Sequence, residues 1–225
     1  MNTLTPIRPL FNRPLPMSPA SLTEPAHPLV EPSLFYDPPY ERPLEDEFAW
    51  HLVKYLDPVA GLLYQERVET KAGAFWINFV VETGLRRIGF EVGELDADAD
   101  TQHDHLRDAL LVGSDGLDVV YRLRGRDLLY RLHDCLYLVA QWEPKLFSQR
   151  GHINLRTLAA PDARAQQPRR SDAILRLSYD APQADGAPDL ILHRTDKQNP
   201  ASWVRAYDQA LVHFGVQPDA LSRSA

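Results

Sequence analysis

The chain has 225 residues and a formal charge of −7, enough length to bury one substantial core with residues left over for a tail. No apolar run approaches the ~20 residues of a membrane-spanning helix, and prolines interrupt the N-terminus before a signal-peptide core forms. The single cysteine, Cys135, excludes an intramolecular disulfide and a cysteine-built zinc site. A cytoplasmic protein with no membrane partner is the expectation.

The charge is unevenly spread. Residues 1–43 carry three basic and four acidic side chains, residues 44–150 carry 12 and 19, and residues 151–225 carry nine and eight. A passive nucleic-acid binder needs Lys and Arg to neutralise phosphates. An acidic middle with local arginine clusters suits a metal-using site or a protein partner better than a DNA coat.

Residues 1–43 hold eleven of the nineteen prolines. Without ladder-forming N–H groups they are expected to form an extended or disordered arm. Alternatively the arm docks a protein partner through Phe35, Tyr36 and Tyr40. A helix is expected from Leu44, with Glu45, Asp46 and Glu47 favoured by its N-terminal dipole. Phe48, Leu52, Tyr55 and Leu56 line its apolar face. Leu62–Val68, Trp76–Glu82 and Arg86–Val92 read as strands, the last two joined at Thr83-Gly84. Residues 101–112 read as a helix with Leu106, Leu110 and Leu111 inward, and Leu117–Leu123 as a fourth strand. A strong helix follows over Asp127–Trp142, with Leu128, Leu132, Cys135, Leu136 and Val139 in one stripe. This order, α-β-β-β-α-β-α over residues 44–150, predicts an α/β protein with a mixed central sheet flanked by helices. Residues 151–172 read as a linker. Residues 173–225 read as a hairpin plus a C-terminal helix capped by Ser202.

Several motifs lie along this core: Trp76-Ile-Asn78-Phe, Ile88-Gly-Phe-Glu91-Val, Asp104-His-Leu-Arg107-Asp-Ala-Leu and Asp118-Val-Val-Tyr-Arg122. Together with the Glu-Phe-Ala-Trp-His-Leu helix start and Gln65-Glu-Arg, their order resembles the PD-(D/E)XK, or restriction-endonuclease-like, superfamily, and within it the very-short-patch-repair-like endonucleases. The resemblance covers about residues 44 to 145. It implies a magnesium-dependent DNA endonuclease whose metal is held by an acidic residue on the second strand and another on the third. Hard cations need such oxygen ligands, and the metal then activates a water.

Carried over by position, these ligands fall on Asn78 and Glu91, which the resemblance also makes the catalytic residues. The next motif position falls on Gly93. The amide of Asn78 brings no charge, and Gly93 brings no side chain. Asp104 is a further candidate metal ligand; Glu47 and Glu66 are other oxygen donors, and Glu94 would need a bulge to join them. Arg122, Arg124 and Arg126 start on one face by strand period. With Arg107, Arg122 and Arg124 are candidate phosphate contacts, or else they pair with Asp104, Asp108, Asp118 and Asp127.

Other apparent motifs weaken on inspection. Asp96-Ala-Asp98-Ala-Asp100 resembles a calcium-loop start, but Thr101 and Arg107 stand where Gly and Glu are required. His103 and His105, two apart, cannot share a metal from one helix. Two functions stay open: a metal-dependent endonuclease with a weakened site, or a catalytically inactive nuclease-like module that docks a protein. An unrelated small α/β protein is the third alternative.

Overall fold

A computed structural model describes residues 40, 42–84, 86–93, 102–179 and 189–216. The chain opens on α1 (Pro43–Tyr55), where Pro43 occupies the tolerated first turn and Phe48, Ala49, Leu52 and Tyr55 form the buried stripe. Strands β1 (Gly61–Thr70), β2 (Gly73–Glu82) and β3 (Arg87–Val92) follow as an antiparallel meander. Gly73, at φ +114°, makes the first turn in a conformation that disfavours side chains. Thr83 closes the second: its N–H donates to the Arg86 carbonyl at 2.9 Å and its hydroxyl accepts the Arg86 N–H at 3.0 Å.

Helix α2 (Gln102–Gly113) then carries the chain to β4 (Val119–Leu123), which lies parallel to β3. Helix α3 (Gly125–Trp142) returns across the sheet. The expected α-β-β-β-α-β-α order and the mixed, helix-flanked sheet are thus present. All five residues of β4 are buried, as a central strand covered on both faces requires.

The expected linker is different. It is largely helical, with α4 (Gln149–Leu158) and α5 (Pro161–Ala165), and it packs Leu155, Ala159 and Ala163 into the main core. Polar residues and prolines masked this short apolar spacing. The last segment forms the expected antiparallel pair. Strands β5 (Ile174–Leu177) and β6 (Leu190–Asp196) extend the main sheet in the order β1-β2-β3-β4-β6-β5. Ser202 does not cap α6 (Val204–His213); its hydroxyl donates within the preceding turn to the Asn199 carbonyl at 2.7 Å and accepts the Asp196 N–H at 3.1 Å.

The two sheet faces have different covers. Phe79, Phe90, Tyr121 and Leu123 meet α1, α3, α4 and α5 on one face. Ile77, Val80 and Val120 meet α2 on the other, where α6 lays Ala210 and Leu211 over Leu106 and Leu110. Cys135 is buried on the α3 side, as its helical position predicted. Tyr40 is buried in the chain's own core, its ring centroid 4.3 Å from that of Tyr64, so it is not an exposed anchor for a partner. Phe35, Tyr36 and the rest of the arm before Tyr40 lie outside the described residues. Among the described residues no helix is long and apolar enough to cross a membrane.

Candidate functional site

The β2–β3 ladder ends at the Phe79–Phe90 pair. One residue beyond it, the side chain of Asn78 replaces the missing backbone partner: its Oδ1 accepts the Val92 N–H at 2.9 Å. Its Nδ2 donates to Glu45 Oε1 at 2.9 Å, and Glu45 Oε2 accepts the Tyr64 hydroxyl at 3.0 Å. The amide accepts on one side and donates on the other; an ionised carboxylate here would face Glu45 as a like charge. The neighbouring strand is distorted at the same level, with Gln65 in the left-handed region at φ 50° between the Tyr64–Phe79 and Glu66–Ile77 pairs.

Glu91 points to the other face. It is 9% exposed, and its Oε1 accepts from Arg107 Nη2 at 2.7 Å. Burial pushes its carboxyl up to about 7, against the pull of Arg107 and Arg122 and with a further push from Asp108 and Asp104. Arg122 forms a two-point pair with Asp108, both contacts at 2.6 Å. It also reaches Asp104 Oδ1 at 3.1 Å. Burial opposes the charge on Arg122, but Asp108, Glu91 and Asp104 together outweigh it and hold the guanidinium protonated. Arg107 also donates to the Trp76 carbonyl.

Glu91, Asp104, Arg107 and Arg122 therefore share one cluster beneath α2, with Asp108 at its centre. Asn78 belongs to a different one, beneath α1. Arg124 stands apart from both. The strand period ends at Leu123, so Arg124 turns into the first turn of α3 and pairs with Asp127 at 2.7 and 2.8 Å, besides donating to the Asp189 carbonyl. Glu66 pairs with Arg87 at 3.1 Å and Glu47 with His51 at 2.9 Å. At Gly93, whose N–H donates to the Leu123 carbonyl at 2.8 Å, a Cβ would begin 3.3 Å from that same oxygen. His103 and His105 diverge as their spacing predicts, His103 toward His213 and Phe214 of the α6 end, His105 toward His193 of β6. Glu94 and the Asp96–Asp100 stretch lie outside the described residues.

Glu45 was missed as a contributor in the sequence, whereas Asp108 was named there as one alternative partner of the arginines. Glu45 was assigned to the helix dipole, yet it lies three residues before Phe48 and seven before Leu52, on the apolar stripe itself. Asp108 lies three residues before Leu111, also inward. An acidic residue in register with a buried stripe is the signal that finds both.

One oxygen of each sequence-derived ligand takes an N–H donor: Asn78 from Val92, Glu91 from Arg107 and Asp104 from Arg122. Two guanidiniums already deliver the positive charge that a divalent cation would bring. Among the described residues no group of three or more His, Cys, Asp or Glu side chains is placed to hold a metal.

No family model, no curated protein and no solved structure matches the chain.

Proposed function

We propose that this protein is a restriction-endonuclease-like module that has lost the metal site and works by binding a protein partner rather than by cutting DNA. The observation that carries this reading is the Glu91–Arg107 pair, 2.7 Å long and buried among Asp104, Asp108 and Arg122. In a metal-dependent nuclease that carboxylate must offer its oxygens to the cation. Here an arginine takes the cation's place.

The same contacts favour protein over DNA as the partner. The three arginines suited to phosphate, Arg107, Arg122 and Arg124, all pair with the chain's own carboxylates. Recruiting them to a DNA backbone would strand Glu91, Asp108 and Asp127 in the interior.

A cleavage assay on supercoiled and linear DNA, with Mg²⁺ or Mn²⁺, tests the proposal. Wild type is expected to leave both substrates intact. Metal-dependent cleavage by wild type that disappears in Glu91→Ala would overturn it and restore the nuclease. Cleavage appearing only in Asn78→Asp would identify the old metal position while upholding the loss of activity.

A further inference from the structure

Away from Glu91, beside the start of β3 and the end of α3, a cavity of about 280 Å³ opens to the surface. Ile88, Trp142 and Leu146 form its apolar wall, and Lys145 and Arg170 stand at its lining with Arg86 and Glu143. The charges fall into two sets. Arg86 donates to Glu143 at 2.7 Å and to Asp196 at 3.0 Å. Arg194 donates to Asp196 and lies 3.6 Å from Glu143. The Tyr121 hydroxyl donates to the other Glu143 oxygen at 3.1 Å. Two guanidiniums thereby balance two carboxylates, and Glu143 presents no uncompensated negative charge to the cavity.

Lys145 and Arg170 are outside that balance. Both side chains are exposed, and neither has a hydrogen-bond or ion-pair partner among the described residues. The cavity thus combines an apolar wall, a neutral and firmly held polar floor, and two unspent positive charges. Its volume lies near the lower end of small-molecule sites, which run from roughly 300 Å³ upward.

We infer that this cavity binds a small organic anion, its carboxylate or phosphate held by Lys145 and Arg170 and its apolar body laid against Trp142, Ile88 and Leu146. Arginine offers paired donors to either head group, and lysine a point charge. The inference stands apart from the lost metal site and holds whether or not the protein cuts DNA.

Calorimetric titration of the full chain with benzoate, adenosine monophosphate and inorganic phosphate tests it. The first two carry a carboxylate or a phosphate on a ring; the third is the bare anion. At least one ringed anion is expected to bind more tightly than inorganic phosphate. The double variant Lys145→Ala/Arg170→Ala should weaken that binding by about tenfold or more, since two charge-assisted contacts are lost. Gln198→Trp, which narrows the cavity without changing its charge, should weaken it too, and Arg150→Ala, an exposed cation outside the cavity, should not. Thermal midpoints of these surface variants should match wild type. Absence of binding by both ringed anions, equal binding of bare phosphate, or an unchanged affinity in the double variant would each overturn the proposal.

Discussion

The Arg122 network and the Arg194 network lie on opposite faces of one sheet and differ in their charge balance. Beneath α2, Arg107 and Arg122 face Glu91, Asp104 and Asp108. On the α3 side, Arg86 and Arg194 face Glu143 and Asp196, with Tyr121 bridging to Glu143. The first holds one carboxylate more than its guanidiniums can match; the second is even. Burial is the main push on Glu91, whose carboxyl rises to about 7; Arg107 and Arg122 pull against it, and Asp108 and Asp104 add to it. Burial raises a carboxyl in either network, Glu91 in the first and Glu143 in the second, so the count of guanidiniums alone does not decide which group resists ionisation.

The largest effect expected is from Arg122→Ala. It leaves Asp108, 2% exposed, without its two-point partner, and should cost about 3–5 kcal/mol in urea unfolding. A loss under about 1 kcal/mol would mean that the network is not a structural core.

The pH dependence of stability sharpens the comparison next. The carboxyl of Glu91 is raised from 4.5 to about 7 on folding, so the folded chain holds the proton more tightly. Its contribution to stability is complete below about pH 4.5 and is lost as pH rises through 7, by roughly 3 kcal/mol at most. Thermal unfolding between pH 5 and 8 should show the wild type weakening with rising pH on this account. Glu91→Gln should remove that part of the slope and exceed wild type at pH 8.

Burial raises the Glu143 carboxyl as well, against the pull of Arg86 and Arg194, so a neutral side chain is favoured there too at pH 8. Because Glu143→Gln also weakens an acceptor that Arg86 and Arg194 share, its gain in thermal midpoint at pH 8 should be smaller than that of Glu91→Gln. A gain at Glu143 equal to or larger than that at Glu91 would remove the distinction between the two networks.

Asn78→Asp should have the smallest effect. Losing the donor to Glu45 and adding a like charge beside it should cost about 1–2 kcal/mol in metal-free buffer. A midpoint equal to wild type would show that the amide is not needed to join β2, β3 and α1.

Much of the architecture was legible in the residues alone. The helical stripes of α1, α2 and α3 and the apolar, β-branched runs of the first four strands are local signals, which need no knowledge of partners. The Thr83-Gly84 turn and the divergence of His103 from His105 were readable for the same reason. Helix α4 was not: Leu155 is the one apolar residue of the helix that is buried, too little to outweigh the surrounding polar residues, and the helix forms partly because the core beneath can bury it. Ser202 had the composition of a cap, but Asp196 and Asn199 offered its hydroxyl better-placed partners.

At the candidate site, sequence could name Asn78, Glu91, Asp104, Arg107 and Arg122 because motif positions and residue types are local properties. Arg124 was grouped with Arg122 only because a strand period was carried past the strand's end. Whether a carboxylate meets a cation, an arginine or an amide depends on which helix covers its face of the sheet. That is a long-range property, decided by packing. The sequence by itself determined the sheet, its helices and the charged residues at its strand ends. The tertiary structure alone decided that Glu91 faces Arg107 and that Asn78 faces Glu45, because α1 and α2 close on opposite faces and each brings its own charge.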